Sequence, residues 1–269
     1  MIRKFKNKAK VADLCRCLNL AESVYYYSPG QGKRGRKAST STAKKDGAIE
    51  SNNDVVNRIR NLLGREFCCY GYHNITSDLH DEQYIINHKK VYRLMDENNL
   101  LLEKVIRIHG KRQFVKHRKI IAHSPLEYLC LDIKYVWVEG EKRNYYLLTV
   151  IDVYTRMAIE QIFQSSIKKT DVINLFRRIN HRYGIKGITI RNDNGSQFIA
   201  NDVKAYLRSV EANQEFTHIA TPEENAYIEA FHSIVEREVI RRFEFSSYYE
   251  AKIIFKNHLK WYNYERKHG

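Results

Sequence analysis

Three carboxylates in the second half of the sequence occupy places where a carboxylate needs a physical reason. Asp132 sits in a period-two run with Leu129, Leu131 and Ile133, which reads as a strand. Asp193 follows the short strand signal of Ile188 and Ile190, inside Asn192-Asp193-Asn194-Gly195-Ser196-Gln197-Phe198. Glu229 lies on a helix predicted over Glu223 to Phe243, one turn after Asn225. Along that helix Asn225, Glu229, His232 and Glu236 form a polar line beside the apolar stripe of Tyr227, Ala230, Phe231, Ile234 and Val235. A carboxylate in an apolar strand is costly to bury unless paired or metal-bound. Clustered carboxylates repel and raise one another's pKa. A divalent cation removes that repulsion, and hard oxygen ligands favour Mg²⁺ or Mn²⁺. Two such ions about 3.5–4 Å apart can clamp the attacking and leaving oxygens of a phosphodiester. Taken singly, Asp132 also reads as a paired core residue and Asp193 as an ordinary turn aspartate.

The elements that must position these residues follow from periodicity. Tyr145 to Val153 is a mostly apolar, β-branched run, hence a buried strand, and Ala158 to Phe163 is a third strand. Val172, Leu175, Phe176 and Ile179 give a helix, Val203 to Leu207 another, and a short strand is expected near Phe216 to Ile219. Strands alternating with helices in this order indicate an α/β layer architecture. Upstream, Val55, Val56, Ile59, Leu62 and Leu63 form a helical stripe, and Ile75 and Leu79 mark a short helix. Asn87 is an N-cap for a third helix through Val91, Leu94 and Met95, whose other face carries His88, Lys89, Lys90 and Arg93. Two short helices followed by a third with a basic face are the parts of a helix-turn-helix, and equally of a plain three-helix bundle. Val11, Leu14, Cys15 and Leu18 give an N-terminal helix, and Lys33 to Lys45 reads as a basic linker. The expected division is 1–45, an N-terminal helical segment and linker; 46–117, a DNA-binding block; and 118–269, the α/β part.

Charge separates these parts. Residues 1–120 hold 25 Lys+Arg and 12 Asp+Glu, a net of +13, whereas residues 121–269 hold 21 and 19, a net of +2. The first part therefore faces a polyanion, and nucleic acid is the expected one. No apolar run reaches the roughly 18–20 residues of a membrane span, and Met1 to Lys10 is not followed by the apolar core of a signal peptide. Five cysteines (Cys15, Cys17, Cys68, Cys69 and Cys130) are sparse and odd in number, which fits reduced thiols in a cytosol. Their spacing with His73 and His80 matches no zinc site. A Gly-rich phosphate loop and a nucleophile elbow are both missing from the sequence, which argues against an ATPase and against a serine hydrolase.

Thirty-five residues separate Asp193 from Glu229. With that spacing the sequence resembles the DDE transposase and retroviral integrase superfamily, and it looks most like the OrfB-type transposases of copy-out, paste-in insertion sequences. The matching stretches are Leu131-Asp132-Ile133-Lys134-Tyr135, Val150 to Arg156, Asn192 to Phe198, Thr221 to Phe231, and Trp261-Tyr262-Asn263 with Arg266 and His268. Upstream, Tyr70-Gly71-Tyr72, Ile75, Leu79 and Val91 to Met95 resemble the helix-turn-helix block that precedes this core. Where many relatives have a Lys-Gly-Asn-Cys-type loop before the glutamate helix, this chain reads Ile219 to Asn225.

The resemblance implies an RNase H-like core over about 124–245, a five-stranded mixed sheet with helices on both faces, and an added C-terminal helix over about 247–264. It implies that Asp132, Asp193 and Glu229 are the catalytic and metal-binding residues for two Mg²⁺ ions, with Mn²⁺ as a substitute. Asp152 is then structural, and Glu223, Glu224 and Glu236 are rivals of Glu229. Contacts to DNA are expected from His88, Lys89, Lys90, Arg93, Asn194, Gln197 and Asn225. The implied activity is metal-dependent strand cleavage and transfer between element ends and target DNA. It would be carried out by a homo-oligomer on DNA, with an upstream-frame DNA-binding protein as a partner and no membrane. The alternatives are a catalytically silent, regulatory DNA-binding protein of the same fold, and a plain RNase H-like nuclease.

Overall fold

The computed structural model describes residues 2–28, 38–103, 120–217 and 225–268. The chain divides into two compact units, 1–40 and 41–269. The first carries three short helices, α1 (Ile2–Phe5), α2 (Val11–Cys17) and α3 (Glu22–Tyr26). Of the expected basic linker, residues 33–37 lie outside the described residues, and its end is a strand.

The second unit opens with a small sheet. β1 (Ser41–Lys44) pairs antiparallel with β2 (Ile49–Ser51) and with β3 (Tyr84–Ile85), in the order β2-β1-β3. The division expected at 45/46 therefore differs from the observed one, because β1 belongs to the same sheet as β3. Helix α4 (Asn52–Leu63) starts at a capping box in which Ser51 and Asp54 satisfy each other's backbone N–H groups. A cap of this kind is worth about 0.5–2 kcal/mol. α5 (Tyr72–Asp81) begins at Gly71, a few residues before its expected start, and α6 (His88–Glu97) begins at Asn87, whose side chain accepts from the Lys89 N–H.

The five-stranded sheet has the order β6-β5-β4-β7-β8. β4 (Tyr128–Val138), β5 (Arg143–Asp152) and β6 (Ala158–Gln164) are antiparallel, and β7 (Thr189–Asn192) and β8 (Asn213–Phe216) run parallel to β4. Gly140 turns the β4–β5 hairpin where no side chain fits: a Cβ there would lie 1.9 Å from the Ser246 carbonyl oxygen. Alternate residues of β4 face opposite layers. Leu129 and Leu131 enter an apolar core with α7 (Lys169–Tyr183), α8 (Ser196–Ile199) and α9 (Asn201–Ser209). Cys130, Val136 and Val138 enter a second core with α10 (Ala226–Val235) and α11 (Tyr248–Lys260).

That second core also holds Val55, Ile59, Ile75, Leu79, Val91 and Leu94 from α4–α6, so the helical block and the large sheet share one hydrophobic interior. The long helix expected to Phe243 instead ends as α10 at Val235 and continues as a π-helical turn over Glu236–Ile240. A second π-helical turn, Trp261–Glu265, extends α11. β8 lies earlier than expected, ending at Phe216. No helix among the described residues is long and apolar enough to cross a membrane.

Candidate active site

The sheet itself brings the two aspartates together. Parallel pairing of β4 with β7 runs Tyr128–Thr189, Leu129–Ile190 and Cys130–Arg191, and then stops. Two register steps further on, position 132 stands opposite position 193. Adjacent strands lie about 4.8 Å apart, so the carboxylates of Asp132 and Asp193 emerge side by side where the strands part. Asp132 fixes one oxygen on the Ile133 N–H at 2.8 Å, and Asp193 fixes one on the Gly195 N–H at 3.0 Å. Burial pushes the Asp193 carboxyl above its ordinary pKa, the Gly195 N–H pulls it down, and the charge of Asp132 pushes it up again, for a net rise. At Gly195, whose φ is not left-handed, a Cβ would stand 2.4 Å from the Gln197 amide and 3.1 Å from Asp193, so a side chain there would make the Gln197 side chain move.

Glu229 comes from α10. It shares a cavity of about 780 Å³ with Asp132, walled by Lys134, His232, Ser233, Glu236, Arg237 and Arg241. His232, one turn after Glu229, reaches the aspartate directly, with Nδ1 3.4 Å from Asp132 Oδ2. Within the wall Glu236 pairs with Lys134 at 3.0 Å and with Arg241 at 3.4 Å. The cavity lining thus mixes the carboxylates of Glu103, Asp132, Glu229 and Glu236 with the cations of Lys134, Arg237 and Arg241. The structure brings Asp132 beside Asp193 and into one cavity with Glu229. Among the described residues, no group of three or more His, Cys, Asp or Glu side chains stands close enough to hold an ion. The donor chemistry nevertheless fits a hard divalent cation: oxygen ligands, with like charges crowded at partial burial.

Asp152 is fully occupied elsewhere. Its carboxylate accepts from the backbone N–H groups of Leu126 (3.1 Å), Tyr154 (3.3 Å) and Thr155 (3.1 Å) and from the Thr155 hydroxyl (2.6 Å), which ties off the turn after β5. Rivals Glu223 and Glu224 lie outside the described residues. Burial pushes the Cys68 thiol up to about 11.

Sequence-predicted DNA contacts divide by what their side chains already do. His88 and Lys89 are exposed at the start of α6. Lys90 instead turns its ammonium onto β1, donating to the Ser41 carbonyl at 2.6 Å and the Thr42 hydroxyl at 2.8 Å, and burial lowers its pKa. Arg93 is half-buried. The Asn194 amide donates to the Thr217 carbonyl at 2.8 Å, which closes the Asp193 loop onto the end of β8. Gln197 is half-buried beside Gly195, and Asn225 is buried at the start of α10. Lys134, Arg237, Arg241 and His232 were not singled out by sequence as site residues. The available signals were that Lys134 shares a strand face with Asp132 and that His232 follows Glu229 by three residues.

Comparison with known proteins places the chain among integrase core and HTH-like domain families. The integrase core domain family matches residues 122–222, a second integrase core domain family matches 211–269, and an HTH-like domain family matches 50–108. An uncharacterized 39.2 kDa protein of insertion element IS476 from Xanthomonas euvesicatoria is 27% identical over 74% of this chain and 57% of its own length. The chain therefore spans little more than half of that relative. The transposase of insertion sequence element IS904 from Lactococcus lactis is also 27% identical, over 74% of this chain and 83% of its own. A chain of the simian T-cell lymphotropic virus intasome, solved by cryoEM with a PP2A regulatory subunit, is 12% identical, with a TM-score of 0.47 over 78% of this chain and 70% of that one.

Proposed function

Because the chain belongs to the superfamily of DDE transposases and retroviral integrases, we propose that it cleaves and joins DNA strands during transposition of an insertion sequence. The observation that carries this reading is the meeting of Asp132 with Glu229 in one cavity that also holds Lys134, Arg237 and Arg241, with Asp193 two steps beyond the paired register of β4 and β7.

Asp132, Asp193 and Glu229 are the residues that would hold two divalent cations, Mg²⁺ or Mn²⁺. Such ions supply Lewis-acid activation of an attacking oxygen and stabilise the leaving one. The protein's own groups do the rest. Lys134, Arg237 and Arg241 offer positive charge to the phosphates of a strand lying in the cavity. Asp132 is carried within β4 and Asp193 directly after β7, so the sheet backbone sets where both carboxylates stand. With the ions supplying that activation, no side chain of this protein would need to become covalently linked to DNA. The same site would first nick the element end and then join the freed 3′-hydroxyl to a target strand. His88 and Lys89 of α6 would approach DNA from the helical block, and a homo-oligomer would bring two element ends together.

The test uses purified protein, Mg²⁺ and a duplex carrying the element's terminal repeat. A nick at the element end followed by joining to target DNA is expected. Binding without cleavage, at any Mg²⁺ or Mn²⁺ concentration, would favour the regulatory DNA-binding reading instead.

A further inference from the structure

We infer that His232 is a positioning residue for Asp132, and that through it the glutamate helix sets the geometry and metal affinity of the first aspartate. The inference rests on the reading of Asp132 and Glu229 as metal ligands. His232 is 6% exposed, and its Nδ1 stands 3.4 Å from Asp132 Oδ2. The other oxygen of that carboxylate accepts the Ile133 N–H. Each oxygen of Asp132 therefore faces a protein group, one from its own strand and one from α10. Glu229 lies one helical turn before His232, so the same helix that presents Glu229 also bears on Asp132.

The far side of the ring decides how it acts. His232 Nε2 is buried and has no hydrogen-bond partner among the described residues. In a neutral imidazole one nitrogen donates and the other accepts. If Nδ1 served as a metal ligand, the proton would sit on Nε2, which would then be a buried N–H with no acceptor. With the proton on Nδ1, pointing at Asp132, the orphan is only an acceptor. Unpaired buried N–H groups are the rarer of the two, so the ring donates to the carboxylate rather than binding the ion itself. Groups that orient a metal ligand in this way typically change metal affinity by about 10- to 100-fold when removed. The 3.4 Å separation is long for such a bond and is expected to tighten once the carboxylate is drawn toward an ion.

The experiment titrates Mn²⁺ into the full chain and follows free Mn²⁺ by electron paramagnetic resonance, alongside thermal melting. Asn places its amide N–H where Nδ1 was, Gln places it near Nε2, and Phe keeps the ring without a donor. His232→Asn should bind Mn²⁺ within a few-fold of the unaltered protein, whereas His232→Gln and His232→Phe should lose about 10- to 100-fold. Equal affinity in all variants, or equal loss in all, would overturn the positioning role. Retention by His232→Gln with loss in His232→Asn would place the working nitrogen at Nε2, on the side of the ring away from Asp132, which also overturns it. Should His232→Phe fail to fold, the Asn and Gln pair still decides. Asp132→Asn separates the two levels of the argument: if it binds Mn²⁺ unchanged, the metal-ligand reading itself fails. If it loses Mn²⁺ while His232→Gln does not, only the inference about His232 fails.

Discussion

Asp152 and Asp132 are both aspartates of the central sheet, paired in adjacent strands, and the structure separates their roles by what their oxygens already do. Asp132 keeps an oxygen toward the cavity and His232, whereas Asp152 is saturated by four donors around one turn. Asp152→Asn turns an acceptor into an amide whose N–H₂ faces other donors. Hydrogen bonds to charged groups contribute about 1.5–3 kcal/mol, so a loss of that order is expected in urea unfolding, with metal-dependent cleavage retained below the new melting point. An unchanged unfolding midpoint would show that the turn does not need the charge. The sequence assigned Asp152 a structural role on its Tyr154-Thr155-Arg156 turn. It could not reveal His232 as the neighbour of Asp132, because that contact joins residues 100 positions apart in the chain.

Among the elements, the strands and long helices were legible because their apolar periods are long: ten or more residues in β4, β5, α4 and α7. β1, β2 and β3 were not, since four, three and two residues leave no alternation to read. The π-helical turn after α10 was also hidden, because Val239 and Ile240 keep an apolar character through it. The missed β1 changes what α6 can do. Lys90 is spent on β1, which leaves Lys89 as the exposed lysine of that turn. Lys89→Ala is expected to weaken DNA binding evenly across sequences and reduce the salt slope by about one. Lys90→Ala should instead lower the melting temperature, with a cost of about 0.5–1.5 kcal/mol for the lost bonds. An unchanged salt slope for Lys89→Ala would show that this lysine does not touch phosphate.

Across the whole molecule, the helical block and the large sheet are locked together by the last residues of the chain. Glu238, fully buried in the π-helical turn after α10, accepts from Arg266 Nε at 2.9 Å and lies 3.1 Å from His258 Nε2. The next residue, Lys267, donates its N–H to the Tyr70 hydroxyl at 2.7 Å and pairs through its ammonium with Asp81. Burial pushes the Glu238 carboxyl up, but the His258 bond and the Arg266 charge outweigh it, so its pKa lies below the ordinary 4.5. A depressed folded-state pKa stabilises above the unfolded value and loses that contribution as pH falls through the folded one. Glu238→Ala, which strands Arg266 and His258, should therefore cost about 3–5 kcal/mol near neutral pH. The gap to the unaltered protein should shrink only below pH 4.5. The resemblance quoted Arg266 and His268 as a terminal signature, yet nothing in their spacing told that Arg266 binds a residue on the catalytic helix's own extension. The account as a whole stands on the three carboxylates. Its most direct test measures Mg²⁺-dependent cleavage and joining, with DNA binding in parallel, for Asp132→Asn, Asp193→Asn, Glu229→Gln and Glu236→Gln. The first three should lose both reactions while still binding DNA, and Glu236→Gln should keep them. Robust joining by Glu229→Gln, with loss in Glu236→Gln, would contradict the assignment.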